Sequence, residues 1–179
     1  SISGGGGGGG ANATTTLKLA NETVTSSTVL QNDDALFFAI GANEAWSFRF
    51  SLMASVATAP DIKFAVTAPA GSVCRYAATN VEDAVSTPQT TTCGGSTGIL
   101  NGTGASDVYE VTGSVRTGST NGLVRLQWAQ NSSSANAVTV QTGSYLHAIS
   151  TTTPTVSAAT TESYITVSNT GGLSAERAL

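Results

Sequence analysis

Residues 44–52 read Glu44-Ala-Trp-Ser-Phe-Arg-Phe-Ser-Leu52, with Trp46, Phe48, Phe50 and Leu52 on alternate positions and Ser47, Arg49 and Ser51 between them. Successive side chains of a strand point to opposite faces, so this stretch predicts one wall of a core with a polar outer face. The same parity recurs in Leu36, Phe38 and Ile40, in Ile62, Phe64 and Val66, in Tyr109, Val111, Gly113 and Val115, and in Val124, Leu126 and Trp128. Trp46 and Trp128 are in phase with these sets and are expected inside. Short alternating runs separated by turn residues predict an all-β fold, an antiparallel β-sandwich of jelly-roll-like form.

Charged residues are only 10% of the 179-residue chain, where a typical soluble domain has roughly 25%. Thr, Ser, Asn, Gly and Ala take up the difference. Helix surfaces need Glu and Lys, so this composition favours strands and turns and an extracellular or particle-surface setting. The formal net charge is −4 and the seven Lys and Arg are scattered; clustered cations are what phosphate neutralisation needs, so nucleic acid is not an expected partner. No apolar run approaches the about 18–20 residues that span a bilayer, and membrane insertion is not expected. The chain opens at Ser1 without an initiator Met, which reads as an internal piece of a longer protein or a processed product.

Composition divides the chain into residues 1–13, a Gly-rich linker or tether; 14–150, the sandwich; and 151–179, a linker with Pro154 followed by a short strand at 163–168. Gly4 to Gly10 are consecutive glycines. They serve either as a flexible lead or as a place where several backbones meet around a shared axis. A phosphate-cradling loop would need Lys and Ser or Thr after the glycines, and Ala11-Asn-Ala-Thr-Thr follows instead. Residues 16–29, 35–40, 44–52, 62–66, 72–78, 107–116, 123–130 and 137–150 are the expected strands, with Gln31-Asn-Asp-Asp34 a turn. Residues 79–106 form a long Thr-, Gly- and Pro-rich excursion, expected as an exposed functional or intersubunit loop.

Cys74 and Cys93 are a candidate disulfide in an oxidising place, or two separate thiols in a cytosol. Their spacing does not suit a metal site. His147 has the parity opposite to Leu146, so it faces outward or toward a neighbouring subunit. The local carboxylates Asp33-Asp34, Glu82-Asp83 and Asp107/Glu110 sit in turns or at strand edges. Asp33-Asp34 could help bind Ca²⁺, but turn capping accounts for it more simply. Neither catalysis nor a cofactor is expected. Tyr76 and Tyr145 are candidates for an exposed sugar-stacking surface, with His147 beside them. The four N-x-S/T matches, at Asn12, Asn21, Asn101 and Asn131, are expected by chance in such a composition.

An ordered series of segments resembles a module of tailed-bacteriophage virion structural proteins, the tail fibres, minor tail proteins and head fibres or decorations. The series comprises Asn21-Glu-Thr-Val-Thr-Ser-Ser-Thr-Val-Leu-Gln-Asn-Asp-Asp34, Phe38-Ala-Ile-Gly-Ala-Asn-Glu-Ala-Trp-Ser-Phe-Arg-Phe50, Thr58-Ala-Pro-Asp-Ile-Lys-Phe-Ala-Val-Thr-Ala-Pro69, Leu126-Gln-Trp-Ala-Gln-Asn131 and Val140-Gln-Thr-Gly-Ser-Tyr-Leu146. Residues 164–179 are similar to the start of a repeat in phage fibre proteins. The resemblance implies a β-sandwich assembled as a homotrimer on the virion surface, in contact with other virion proteins or a host-surface glycan, without a cofactor. A carbohydrate-binding module of a secreted or cell-surface protein is the alternative. The 79–106 excursion has no counterpart in the resemblance.

Overall fold

The computed structural model describes residues 13–151. The glycine-rich lead and the segment from 152, including the expected strand at 163–168, lie outside them. The described chain runs through β1 (Ala13–Leu17), β2 (Glu22–Val24), β3 (Gln31–Ile40), β4 (Ala45–Val56), β5 (Ile62–Thr67), β6 (Val73–Asn80), β7 (Val85–Ser86), β8 (Ser106–Arg116), β9 (Gly122–Gln130), β10 (Val138–Val140) and β11 (Tyr145–Ser150). All pairings are antiparallel, and the strands form two sheets packed on one core, as the alternation predicts.

The stretch 44–52 lies in β4, the centre of the larger sheet. Phe50 and Leu52 are fully buried, and Trp46 and Phe48 nearly so. β8 pairs along β4 from Ala45 to Ser55 on one side. On the other, β11 pairs with Trp46–Ser51 and β10 with Ala54–Val56. β1 lies outside β11, β2 outside β10, and β6 then β7 outside β8. The smaller sheet has the order β3-β9-β5 and turns Leu36, Phe38, Phe64, Val66, Leu126 and Trp128 onto the same core.

Two expected strands are each broken in the middle. Residues 16–29 divide into β1 and β2, and 137–150 into β10 and β11, with the two breaks facing each other. There the Lys18 N–H donates to the Ser144 carbonyl (2.8 Å) and the Gly143 N–H to the Lys18 carbonyl (2.9 Å). The Thr142 N–H donates to Asn21 Oδ1 (2.9 Å). Gly143 has φ +90, a conformation that favours glycine. The expected turn at 31–34 is part of β3, whose ladder to β9 shifts register between Asn32 and Phe37. That irregularity rotates Asp33 into the interior, where it is fully buried.

The 79–106 excursion is not a free loop. It first follows the outer edge of β6: Thr87 N–H donates to the Ala78 carbonyl (2.8 Å), and Thr90 and Tyr76 exchange backbone hydrogen bonds (3.0 and 2.7 Å). It then crosses to the outer edge of β5, where Gly94 N–H donates to Val66 O (2.7 Å), Thr97 N–H to Phe64 O (2.7 Å), and Leu100 pairs with Ile62. Leu100 is fully buried. The excursion thus serves as a flap closing one side of the sandwich, because the unpaired backbone groups of two strand edges needed partners.

Candidate functional site

Cys74 lies in β6 facing the core, and Cys93 sits where the flap crosses between the two sheet edges. The two are disulfide-bonded. Tyr76 is two positions after Cys74 and shares its inward parity. It is 1% exposed, and its hydroxyl donates to the carbonyl of Gly95 in the flap. Tyr76 is therefore not part of an exposed sugar-stacking surface; its ring fills the core and its hydroxyl anchors the flap. Burial raises its pKa, opposed by a backbone hydrogen bond.

Tyr145 and His147 do share the outer face of the larger sheet. Leu17, Tyr145, Ser51, Glu110 and Thr79 form one row across five strands, and Thr15, His147, Arg49, Thr112 and Ala77 form the next. His147 Nδ1 and Thr15 Oγ1 are hydrogen-bonded at 3.0 Å. Arg49 donates to Glu110, a contact that raises the Arg49 pKa despite slight desolvation. The cross-strand neighbours of His147 are Thr15 and Arg49, so no carboxylate is paired with its ring in register. This face carries the hydroxyls of Thr15, Ser51, Thr79 and Thr112 around one aromatic ring, one imidazole and one ion pair.

The opposite side of the sandwich, between β1 and β3, is arranged differently. Among the described residues β1 pairs only with β11, and β3 only with β9. A cleft of about 470 Å³ opens there, lined by Thr14, Phe38, Ile40, Glu44, Trp46 and Asn121 among others. Glu44 closes its floor by accepting from Trp46 Nε1 and the Gly41 N–H, both at 2.9 Å. Leu17 is 53% exposed and Leu19 81%.

Beneath this side lies a buried polar cluster that periodicity did not reveal. Lys18, 2% exposed, donates to Glu22 Oε2 (2.7 Å) and to both oxygens of Asp33 (3.0 Å each). Asp33 Oδ1 also accepts the N–H groups of Ala35 and Leu36 (2.9 Å each), and Oδ2 accepts Trp128 Nε1 (3.3 Å). Desolvation pulls the Lys18 pKa down, but the hydrogen bonds and charges of Glu22 and Asp33 outweigh it, so the net shift is upward. Capping is what Asp33 does; its oxygens are engaged by this set. A second cluster joins Asp107 to Thr103 Oγ1 (2.9 Å) and to the Tyr109 hydroxyl (3.2 Å). Burial first, then Asp107, pushes the Tyr109 pKa up. Among the described residues no group of His, Cys, Asp and Glu is placed to hold a metal ion.

No protein family and no curated protein matches the chain. Among solved structures it is similar at 11% identity to the VP2 subviral particle of infectious bursal disease virus, over 77% of this chain and 40% of that one, with a TM-score of 0.19. The Gx strain of the same virus matches at 11% identity, over 78% and 41%, with a TM-score of 0.15. The chain spans about two fifths of the length of these proteins.

Proposed function

We propose that this chain is a structural module on the surface of a tailed-bacteriophage particle, a fibre, tail or head-decoration component that works in assembly, stabilisation or host-surface attachment. The single observation that supports it most is the unequal treatment of the two sides of the sandwich. One side is sealed by the flap and its disulfide. On the other, β1 and β3 leave their outer edges without ladder partners among the described residues, and Leu17 and Leu19 at the end of β1 are exposed. Bare edges beside apolar side chains invite pairing, and closed symmetric assembly is the ordinary way to cover them. A homotrimer covers each such side with the next copy. The disulfide suits the oxidising exterior in which a particle must persist. The resemblance carried by the segments between Asn21 and Leu146 supplies the phage assignment.

Light scattering on the full chain tests the assembly: a trimer is expected at micromolar concentration, and a monomer there overturns the reading. In attachment, the Tyr145, His147 and Arg49 face is the contact surface, with a host glycan as its ligand. Binding on a glycan array that is lost in Tyr145→Ala is the expected result. Binding that survives this change removes the face from the role.

A further inference from the structure

Lys18 Nζ is equidistant from the two Asp33 oxygens, at 3.0 Å, so it lies on the plane that bisects the carboxylate and contains Cγ. Glu22 Oε2 touches the same nitrogen at 2.7 Å. Two backbone N–H groups, of Ala35 and Leu36, converge on Oδ1 at 2.9 Å each. An amine, a carboxyl carbon, a proton acceptor in contact with the amine, and a pair of donors on the oxygen that would become anionic are the parts that acyl transfer requires. We propose that Lys18 and Asp33 condense into an isopeptide bond, with Glu22 as the proton carrier, so that the sandwich closes a covalent link between β3 and the break between β1 and β2.

The step balances without any further reactant. One proton of the Lys18 ammonium passes to Asp33 Oδ2, turning the ion pair into its neutral amine and acid form; desolvation assists this transfer while the contacts with Glu22 and Asp33 oppose it, so it is the uphill part of the step. Nζ adds to Cγ, and the negative charge that develops on Oδ1 is received by the Ala35 and Leu36 N–H groups. Nζ gives a second proton to Glu22, which passes it to Oδ2. The Cγ–Oδ2 bond breaks, water leaves, and an amide carrying the third hydrogen remains, with Glu22 again a carboxylate. Trp128 Nε1, at 3.3 Å from Oδ2, stays with the departing oxygen. A recess of about 250 Å³ is lined by residues that include Lys18 and Glu22. Fixed geometry supplies the drive that free amine and acid lack, since effective molarities of about 10⁵–10⁸ M are reached in such arrangements.

The test is the intact mass of the full chain after folding, measured under denaturing conditions. A chain lighter by one water than its sequence with the Cys74–Cys93 bond is expected, and digestion should yield a branched peptide joining the segments around Lys18 and Asp33. Lys18→Arg should restore the full mass, and Glu22→Gln should slow the loss of water by about 10²–10⁴-fold, the usual worth of a general acid–base group. A folded wild-type chain that keeps the full mass overturns the proposal, as does a water loss that maps to any other residue pair. The wild-type measurement decides the matter even if a variant does not fold.

Discussion

Thr97 and Phe64 hold each other twice: the Thr97 N–H donates to the Phe64 carbonyl at 2.7 Å, and the Phe64 N–H donates to Thr97 Oγ1 at 3.0 Å. Phe64 is fully buried and belongs to β5, so this hydroxyl supplies the acceptor that a further strand would otherwise provide. Thr97→Val keeps the shape and leaves the Phe64 N–H orphaned. A loss of about 1–3 kcal/mol is expected, the desolvation cost of one unsatisfied buried donor. Urea denaturation should show it as a lowered midpoint with an unchanged slope.

Reduction of Cys74–Cys93 should act on the same flap. The bonded residues are 19 apart in sequence, and closing a loop of that size stabilises by about 3 kcal/mol in the chain-entropy model. The flap is also held by hydrogen bonds at Thr90, Gly94 and Thr97 that do not involve the sulfurs, so on reduction the flap should loosen rather than the sandwich unfold. Limited proteolysis after reduction should cut between residues 81 and 105 while β4 and β8 stay protected. Simultaneous loss of all strands would contradict this.

Both the successes and the misses of the sequence reading have physical causes. The alternation of Trp46, Phe48, Phe50 and Leu52 was readable because β4 is paired on both edges and buried on one face, so each inward position had to be apolar. Tyr76 carried the same signal, since it shares its parity with Cys74 and Ala78, and the surface role expected of it ran against that signal. Lys18 ran the other way: Leu17 and Leu19 flank it, and alternation alone puts the leucines inside. The register Thr16 to Leu146 and Leu17 to Tyr145 reverses this, leaving Leu17 exposed and Lys18 enclosed. A bulge elsewhere, at Asn32/Phe37, brings Asp33 to meet it. A strand break and a bulge leave no periodic trace, so this cluster could not be found by periodicity. The flap leaves little trace because β7 is only two residues long and the later ladder bonds are isolated bridges at Thr90 and Leu100, without an alternating pattern.

Gly113 permits the close packing that Tyr76 requires. It stands opposite Phe48 on β4 and Tyr76 on β6. A Cβ placed there would fall on the Arg75 carbonyl oxygen and lie 2.6 Å from Tyr76 Cβ. Both are parts of β6 that cannot swing aside as a long side chain could. Gly113→Ala should destabilise by about 1–3 kcal/mol through overpacking. The reverse order, an alanine variant as stable as the parent, would mean that β6 and β8 can part without cost. Thermal unfolding followed by near-ultraviolet circular dichroism reports both the stability and the Tyr76 environment.

Alkaline unfolding should depend on Tyr109. Its hydroxyl donates to the Asn101 carbonyl at 3.0 Å and to Asp107 at 3.2 Å, and the ring is fully buried. Burial, reinforced by Asp107, raises its folded-state pKa above the ordinary value of 10.0. The folded chain then holds this proton at a pH where the unfolded chain has released it. Stability from this group is complete below pH 10 and falls as the pH rises beyond it, by up to about 1.4 kcal/mol per pH unit for one tyrosine. Tyr76 shifts in the same direction, and so does Lys18 wherever it keeps its ammonium, so the readout is the difference between parent and variant rather than the whole slope. Tyr109→Phe should lower stability at pH 8, because Asp107 and the Asn101 carbonyl lose a donor, and should flatten the decline between pH 10 and 12. Parallel stability curves for parent and variant across that interval would show that the buried phenol contributes nothing to the alkaline limit.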